Sequence, residues 1–329
     1  MRLAARVATF AALAIARPTA ADNGFLHRLA AEVASRLDAA IAAHGPKLVP
    51  PVPVDIKWKP VRLGSLDLGA PLVALEAADL DGDGKIELYA VTSRHVIAIA
   101  LGARGPRELG RVAFTGELAV PAPRDVVGTA IVDGGALVAS VSTFAKSMHV
   151  HWRGKLLVGD LGDAGFELCP GMRAQLVPGR NYFDALGLAI YGKRCRSDLV
   201  DPAGYAMHVS AQLSVKDKLE VQVESCRLDA PCQAAAPQVI AGVGVAFAIA
   251  DLDRDGRPEV VFAEAGAPGD EDAVRVVTIS GGGDRPSTKK TFKAGVAGIA
   301  LVDSGIGPVQ VIAAVRFVGA TRVDLWRLD

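Results

Sequence analysis

A nine-residue acidic loop occurs twice in this chain and restricts the folds that it can adopt. The first copy, DLDGDGKIE, runs from Asp79 to Glu87, and the second, DLDRDGRPE, runs from Asp251 to Glu259. Both copies place carboxylates at loop positions 1, 3, 5 and 9 and a glycine at position 6. Carboxylates this close together repel one another unless a cation neutralises them, and flexible oxygen-rich loops suit a hard ion such as Ca²⁺. The two loops therefore predict two calcium sites.

The residues on either side of each loop predict strands. Alternating and β-branched residues occupy positions 72–75 and 86–91 around the first loop, and 245–250 and 259–262 around the second. Such runs are typical of strands, so each loop is predicted to join the two strands of a hairpin. An EF-hand is excluded, because its loop is flanked by helices and ends with a Glu at position 12. That position is Ala90 in one copy and Phe262 in the other.

The strand, the DxDxDGxxE loop and the second strand together resemble the repeat of the FG-GAP/VCBS family. In that family the repeats form calcium-bearing β-propeller blades, as in the integrin α chain. Residues 266–268, Gly-Ala-Pro, fall where the family has its GAP triplet. The chain differs in lacking a Phe-Gly pair before each repeat and in having Glu at position 9, where Asp is usual.

The resemblance implies that each loop holds a structural Ca²⁺ through carboxylates and one backbone carbonyl. In the first loop the implied ligands are the side chains of Asp79, Asp81, Asp83 and Glu87 and the carbonyl of Lys85. In the second loop they are the side chains of Asp251, Asp253, Asp255 and Glu259 and the carbonyl of Arg257. The glycine at position 6 permits the tight turn that such a loop requires.

Weaker copies of the strand-and-aspartate pattern indicate how many repeats the chain contains. Apolar runs also end at Asp133 and Asp303, so that Asp79, Asp133, Asp251 and Asp303 are separated by 54, 118 and 52 residues. The long interval predicts a missing marker near residue 192, after the apolar run 188–191. Five units of this length, each with room for about four strands, predict an all-β fold, a five-bladed β-propeller, with six or seven blades as alternatives.

The last unit has sequence for only three strands, which predicts how the ring closes. Its final strand is expected at Val323–Leu328, and the stretch Pro60–Leu68 precedes the first unit. We predict that this stretch becomes the fourth strand of the last blade, because closure from both ends removes a free sheet edge.

The N-terminal residues predict three further segments before the propeller at residues 59–329. Residues 1–21 have a basic start, an apolar stretch and a small-residue exit, which are typical of a secretory signal peptide. Residues 22–46 predict an amphipathic helix (24–44) whose apolar stripe, Phe25 to Ile41, would pack on the propeller or mediate oligomerisation. Residues 47–58 form a Pro-rich linker. The protein is therefore expected to be exported, to the periplasm or the extracellular space.

Cysteine usage agrees with export. Cys169, Cys195, Cys226 and Cys232 allow two disulfides in three connectivities, with Cys226–Cys232 and Cys169–Cys195 as one pairing. A zinc site is less favoured, because no CxxC pair or Cys/His cluster with zinc spacing occurs in the sequence. His149 and His151 share one face of a predicted strand, but no third ligand lies nearby in sequence, so a solvated face is the simpler interpretation.

Three functions remain open after the sequence analysis. The first is an exported, calcium-stabilised propeller that binds a protein or a glycan. The second is a propeller-fold polysaccharide lyase or hydrolase, with catalytic residues at the central channel. The third is a scaffold subunit of an envelope assembly that docks through the 24–44 helix. Candidate catalytic side chains for the second function are Tyr89, Tyr182, Tyr191, Arg194 and His208.

Charge and hydropathy narrow the range of partners. The chain has 36 basic and 36 acidic residues, which gives no global charge that favours nucleic acid. Beyond the N-terminal segment no apolar run reaches the length of a membrane-spanning helix, so no membrane span is expected.

Overall fold

The structure is a computed structural model in which residues Leu48–Asp329 form one compact unit. It describes residues 50–118, 126–133, 135–164, 166–169, 172–174, 194–214, 218–226, 232–265, 271–279, 287–305, 307–317 and 319–328. The predicted signal peptide, the predicted amphipathic helix, the GAP triplet and the apolar run 188–191 all lie outside the described residues.

The described residues form five main antiparallel sheets. Strand β1 comprises Pro60–Asp67. Blade 1 comprises β2 (Leu72–Ala78), β3 (Glu87–Thr92), β4 (His95–Gly102) and β5 (Gly105–Ala113). Blade 2 comprises β6 (Gly128–Asp133), β7 (Ala136–Val141), β8 (Lys146–Arg153) and β9 (Leu156–Ala164). A small hairpin follows, β10 (Phe166–Cys169) and β11 (Met172–Ala174). Blade 3 comprises β12 (Arg194–Val200), β13 (Ala206–Ser214), β14 (Lys218–Cys226), β15 (Gln233–Ala234) and β16 (Gln238–Ala241).

The last two sheets complete the ring. Blade 4 comprises β17 (Val243–Ala250), β18 (Glu259–Glu264), β19 (Asp272–Thr278) and β20 (Ser287–Phe292). Blade 5 comprises β21 (Gly295–Val302), β22 (Gln310–Arg316) and β23 (Arg322–Leu328), with β1 as its outermost strand. The β1–β23 pairing runs from Pro60 opposite Leu328 to Asp67 opposite Arg322. The predicted five blades and the predicted closure by the N-terminal strand are therefore both confirmed.

Apolar side chains fill the contacts between neighbouring blades, as expected for short sheets that cannot bury their faces alone. Four buried clusters join blades 1 and 2, blades 5 and 1, blades 4 and 5, and blades 3 and 4. Their largest fully buried members include Tyr89, Leu88, Phe262 and Leu213. Strand β10 contacts both β6 and β12, the innermost strands of blades 2 and 3.

The innermost strand of every blade ends at an aspartate. These aspartates are Asp79, Asp133, Asp201, Asp251 and Asp303. The marker of blade 3 is thus Asp201, and the expectation of a marker near residue 192 was wrong. The β10–β11 hairpin precedes blade 3 and lengthens the interval, which spacing alone could not locate. Each blade begins with its innermost strand, and in a propeller these strands run parallel to one another along the ring axis, so the loops that follow the five aspartates lie at the same end of the ring.

One predicted disulfide lies within the described residues. Cys226, the last residue of β14, is bonded to Cys232, which precedes β15. The side chains of Cys169 and Cys195 lie outside the description. Among the described residues, no helix has the length and hydrophobicity needed to cross a lipid bilayer.

Candidate metal centre

The first acidic loop joins β2 to β3 and is shaped by its own carboxylates. Both oxygens of Asp79 accept backbone amides, from Gly82 at 2.8 Å and from Gly84 at 2.9 Å. Asp81 accepts the amide of Asp83 at 3.0 Å, and Asp83 accepts the amide of Lys85 at 2.8 Å. These bonds wrap the loop around its carboxylates.

The second loop joins β17 to β18 and repeats this arrangement in a more buried setting. Asp251 accepts the amide of Gly256 at 3.0 Å, and Asp255 accepts the amide of Arg257 at 2.8 Å. Glu259 accepts the amide of Leu252 at 2.9 Å through one carboxylate oxygen. The predicted hairpin position of both loops is therefore confirmed.

Each loop brings some of its predicted ligands close together. In the first loop, one oxygen from each of Asp79, Asp81 and Glu87 lies within 4.8 Å of the other two. In the second loop, Asp251, Asp253 and Asp255 satisfy the same limit.

The other two predicted side-chain ligands, Asp83 and Glu259, do not belong to these groups. Asp83 bonds the ammonium of Lys85 at 2.6 Å instead, and Glu259 reaches the amide of Leu252. A cation that recruited Asp83 would have to displace this ammonium, whose side chain is 79% exposed. The carbonyls of Lys85 and Arg257 stay predicted ligands.

Both loops bury a glutamate at position 9, and this burial is the clearest indication of a cation. Glu87 is 4% exposed and Glu259 is 3% exposed. Within the described part of the chain, Oε1 of Glu259 and Oδ1 of Asp251 are buried and have no hydrogen-bond partner. A buried carboxylate oxygen without a partner is costly, and a bound cation would satisfy it. The donor set, all carboxylate oxygens, fits Ca²⁺.

The electrostatics of the loops indicate the same need for positive charge. Burial, together with the carboxylates of Asp81, Asp83 and Asp79, raises the pKa of Glu87 to about 7. Burial likewise raises the pKa of Glu259 to about 8 and that of Asp251 to about 6, again with contributions from neighbouring aspartates. Without a cation, the two glutamates are therefore only partly ionised at neutral pH.

The corresponding loops of the other blades show that a single aspartate is enough to shape the turn. In blade 3, Asp201 alone accepts the amides of Ala203 and Tyr205 at 2.9 and 2.8 Å. In blade 5, Asp303 accepts the amide of Gly305 at 2.7 Å. The additional carboxylates of blades 1 and 4 exceed what the turn requires, and this excess distinguishes the two candidate sites.

Arg254 in the second loop forms an ion pair with Asp303, the aspartate that follows the innermost strand of blade 5. Arg254 donates to the carbonyl of Gly307 and to the carboxylate of Asp303, both at 2.5 Å. Its backbone φ is 57°, and the equivalent residue in the first loop is Gly82 with φ 75°. Sequence reasoning missed this link, because position 4 is not a ligand position and the contact joins different blades.

We expect Arg254→Ala to lower the free energy of unfolding by about 1–2 kcal/mol, since it removes a charged link between blades 4 and 5 that is only partly exposed. Arg257→Ala in the same loop is the matched control, because its guanidinium lies 3.8 Å from Asp255 and its side chain is 63% exposed. The control should change stability by less than ~0.5 kcal/mol. Urea unfolding monitored by circular dichroism measures both variants, and equal losses would contradict this role of Arg254.

A cleft of about 1030 Å³ adjoins the first loop, between blades 1 and 5. Its polar lining comprises Arg62, Asp79, Lys85, Asp303, Ser304, Gln310 and Arg327. The turn between β4 and β5 and apolar residues such as Leu63 and Leu301 complete the walls. The volume is in the range of known ligand sites. The cleft therefore lies at the same end of the ring as the acidic loops.

The candidate catalytic side chains do not converge on one site within the description. Tyr89 is fully buried between blades 1 and 2, where its hydroxyl accepts a hydrogen bond from the Trp152 indole at 2.8 Å. His208 lies in blade 3 and bonds Asp198 at 2.6 Å. Tyr182, Tyr191 and the side chain of Arg194 lie outside the described residues.

His149 and His151 share a face of β8, as predicted. Nδ1 of His151 lies 3.8 Å from Asp160. No group of metal-ligating atoms within 4.8 Å of one another includes either histidine, among the residues that the structure covers.

Comparisons with known proteins add little to this description. No protein-family model matches the chain, and no curated protein sequence matches it. A solved structure of BBS1N in complex with ARL6DN, soaked with lead, is 10% identical and has a TM-score of 0.30, with 82% of this chain and 97% of that chain covered. A structure of S. cerevisiae core factor is 9% identical and has a TM-score of 0.31, with 80% and 48% covered. At these scores neither similarity carries an argument, and the FG-GAP/VCBS resemblance stays a prediction.

Proposed function

We propose that this protein is an exported, calcium-stabilised β-propeller that binds a protein or a glycan at the end of the ring that carries the acidic loops. One observation carries the calcium part of the proposal. Two loops at the same position in their blades collect carboxylates beyond what the turn needs, and the second leaves buried oxygens of Asp251 and Glu259 without partners. The FG-GAP/VCBS resemblance agrees with this interpretation.

The proposed ion is structural. In the first loop the ligands of the ion would be Asp79, Asp81, Asp83 and Glu87 with the Lys85 carbonyl. A second ion would be held by the equivalent groups of the second loop. When bound, Ca²⁺ would supply the positive charge that lets the buried glutamates ionise. The ligands of each ion come from a single hairpin, so each ion would stabilise its own hairpin within the blade.

The cleft between blades 1 and 5 is the proposed binding surface. Its walls combine both signs of charge, hydroxyl and amide groups and a few apolar side chains. This mixture suits a polar ligand such as a protein loop or a glycan. Since Asp79 belongs to both the cleft and the first acidic loop, calcium binding would fix one wall of the cleft.

The enzymatic alternative receives less support from the innermost strands. A catalytic channel would need acid–base groups such as His, Tyr or paired carboxylates along its wall. In sequence, β2, β6, β17 and β21 consist mainly of Ala, Val, Gly, Leu and Ile, and none of the four contains His or Tyr. The fifth innermost strand, β12, is more polar, with Arg194, Arg196 and Asp198, but it also contains no His or Tyr. These strands favour a binding module over a hydrolase or lyase.

The calcium part can be tested by thermal unfolding of the purified protein. Adding calcium after chelation should raise the Tm by roughly 5 °C, because a ligand present at 10 to 100 times its Kd contributes roughly 1–3 kcal/mol per site. Magnesium at the same concentration is the control, and it should have a smaller effect because it demands a more rigid octahedral site. An unchanged Tm in calcium would count against the proposal.

A further inference from the structure

A third group of potential metal ligands lies in blade 3, outside both acidic loops. It consists of His208 on β13 and the disulfide-bonded Cys226 and Cys232. One ligand atom of each residue lies within 4.8 Å of the other two. In the oxidised protein the two sulfurs are bonded to each other at 2.06 Å, so they are not available to a metal ion.

The register of blade 3 places these groups on one face. In the β13–β14 pairing, Ala206 lies opposite Cys226, and His208 lies opposite Glu224. Side chains two residues apart along a strand share a face, so His208, Glu224 and Cys226 project from the same side of the sheet. In the β12–β13 pairing, Asp198 lies opposite His208 and joins the same face.

A hydrogen bond prepares the histidine to act as a metal ligand. Nδ1 of His208 lies 2.6 Å from the carboxylate of Asp198. This bond places the imidazole proton on Nδ1 and leaves the lone pair of Nε2 for a metal. Metal-binding histidines commonly donate their second ring nitrogen to a carboxylate in this way. The imidazole is 26% exposed, so a metal ion can reach it.

We infer that reduction of the Cys226–Cys232 disulfide creates a zinc site formed by two thiolates and Nε2 of His208. A dithiol reductant would supply two electrons and two protons, which yields two thiols and leaves the reductant as a disulfide. Zn²⁺ would then displace the two thiol protons. Zn–S bonds of about 2.3 Å and Zn–N bonds of about 2.0 Å set tetrahedral ligand atoms roughly 3.5 Å apart. One histidine nitrogen lies within 4.8 Å of both sulfurs, and the sulfurs, now bonded at 2.06 Å, would separate to this spacing on reduction.

Charge favours metal binding here over a thiol-exchange activity. Reactive cysteines lie in electropositive surroundings that stabilise the thiolate. Here Asp198 and Glu224 lie on the same face as the sulfur of Cys226. These carboxylates disfavour an isolated thiolate but attract a cation, and Glu224 offers a fourth donor of the kind that zinc accepts.

The test uses the full chain in excess calcium, so that the acidic loops are saturated. Co²⁺ is the probe, because thiolate ligation of Co²⁺ produces a sulfur-to-metal charge-transfer band. After reduction with a water-soluble phosphine, one Co²⁺ per chain should bind with this band, and Zn²⁺ should displace it. The oxidised protein should show no band. Asp198→Asn should weaken binding by about 10–100-fold, and His208→Ala should weaken it at least as much.

Matched variants separate this site from other thiols. The Cys226→Ser/Cys232→Ser variant retains Cys169 and Cys195 and should show no band. Circular dichroism of oxidised His208→Ala confirms that the variant folds. The inference is overturned by no band in the reduced protein, by the same band in the double serine variant, or by undiminished affinity in His208→Ala. Catalytic oxidation of an added dithiol without metal uptake would overturn it in favour of exchange chemistry.

Discussion

A chain that begins at Leu68 should unfold at least ~10 °C below the full-length protein, because it lacks the strand that closes the ring. Strand β1 supplies Leu63 and Leu66 to the cluster between blades 5 and 1. Full burial of two leucines contributes about 3–6 kcal/mol, and the partly buried Leu63 and Leu66 contribute a fraction of this in addition to the hydrogen bonds between β1 and β23. Loss of β1 also leaves the edge of β23 unpaired and exposes Val323 and Leu325, which are 1% exposed in the closed ring. We therefore also expect the truncated chain to aggregate.

A chain that begins at Leu48 is the matched control for this deletion. It retains every described contact, including the hydrogen bond from the Val54 amide to the carbonyl of Asp253 and the packing of Ile56 and Trp58 on the cluster between blades 4 and 5. Thermal unfolding by circular dichroism and light scattering measure both truncations. Addition of a synthetic peptide of residues 58–68 should restore part of the lost Tm. Equal Tm values for the two truncated chains would contradict closure by β1.

In calcium-free buffer, the Tm should fall by roughly 10 °C between pH 5 and pH 8, since the carboxyls with the most strongly raised pKa values, Glu259, Glu87 and Asp251, must ionise. In the folded protein Glu259 has a pKa of about 8, Glu87 about 7 and Asp251 about 6. Their pKa values are higher when folded than when unfolded, so the folded state binds more protons across this range. The stabilising contribution of these three groups is then fully present below about pH 4 and is lost as the pH rises through these values.

The magnitude follows from the size of the shifts. Each unit of raised pKa costs about 1.4 kcal/mol once the group is ionised, and relaxation of the loops reduces the total to roughly 3–6 kcal/mol. His95 acts in the opposite direction, because burial lowers its pKa, but it is a single group. Calcium binds the ionised carboxylates, so the increase in Tm that it causes should be small at pH 5 and largest at pH 8.

Glu259→Gln is the variant that tests this assignment. Glutamine keeps the acceptor for the Leu252 amide but cannot ionise, so it should flatten the calcium-free pH profile and reduce the effect of calcium. In chelator at pH 8 the variant should be more stable than the wild-type protein, and in calcium it should be less stable. A calcium-free Tm that is constant or rises from pH 5 to pH 8 would contradict the electrostatic account.

Much of the ring could be predicted from local sequence. The spacing of Asp79, Asp133, Asp251 and Asp303 predicted the number of blades, because each aspartate ends an innermost strand. The shortage of strands in the last unit predicted closure by β1. The marker of blade 3 was misplaced because the β10–β11 hairpin lengthens the connection from blade 2 to blade 3. Its actual marker, Asp201, is not part of an acidic motif, so in sequence it resembles any other turn aspartate. Repeat spacing locates units only where insertions are absent.

Contacts between elements could not be predicted in the same way. The link from Arg254 to Asp303 joins the loops of two blades, and nothing in either loop alone indicates it. The approach of His208 to Cys226 depends on the register of β13 and β14, which places residues 18 positions apart on one face. The sequence search for zinc sites required ligands at short spacing, so it excluded this pair. Once the strand register is known, the placement of His208 and Cys226 follows from alternation along the strands, whereas the link from Arg254 to Asp303 depends on how blades 4 and 5 pack together.

The central claim, that the two acidic loops each bind one Ca²⁺, is tested most directly by isothermal titration calorimetry at neutral pH. We predict two Ca²⁺ per chain with Kd values of roughly 0.1–1 mM, the range of extracellular calcium modules. Asp81→Ala and Asp253→Ala, which change the same position of each loop, should each remove one site, and together they should remove both. A wild-type protein that binds no Ca²⁺ at several times this concentration, or a double variant that still binds two, would contradict the account.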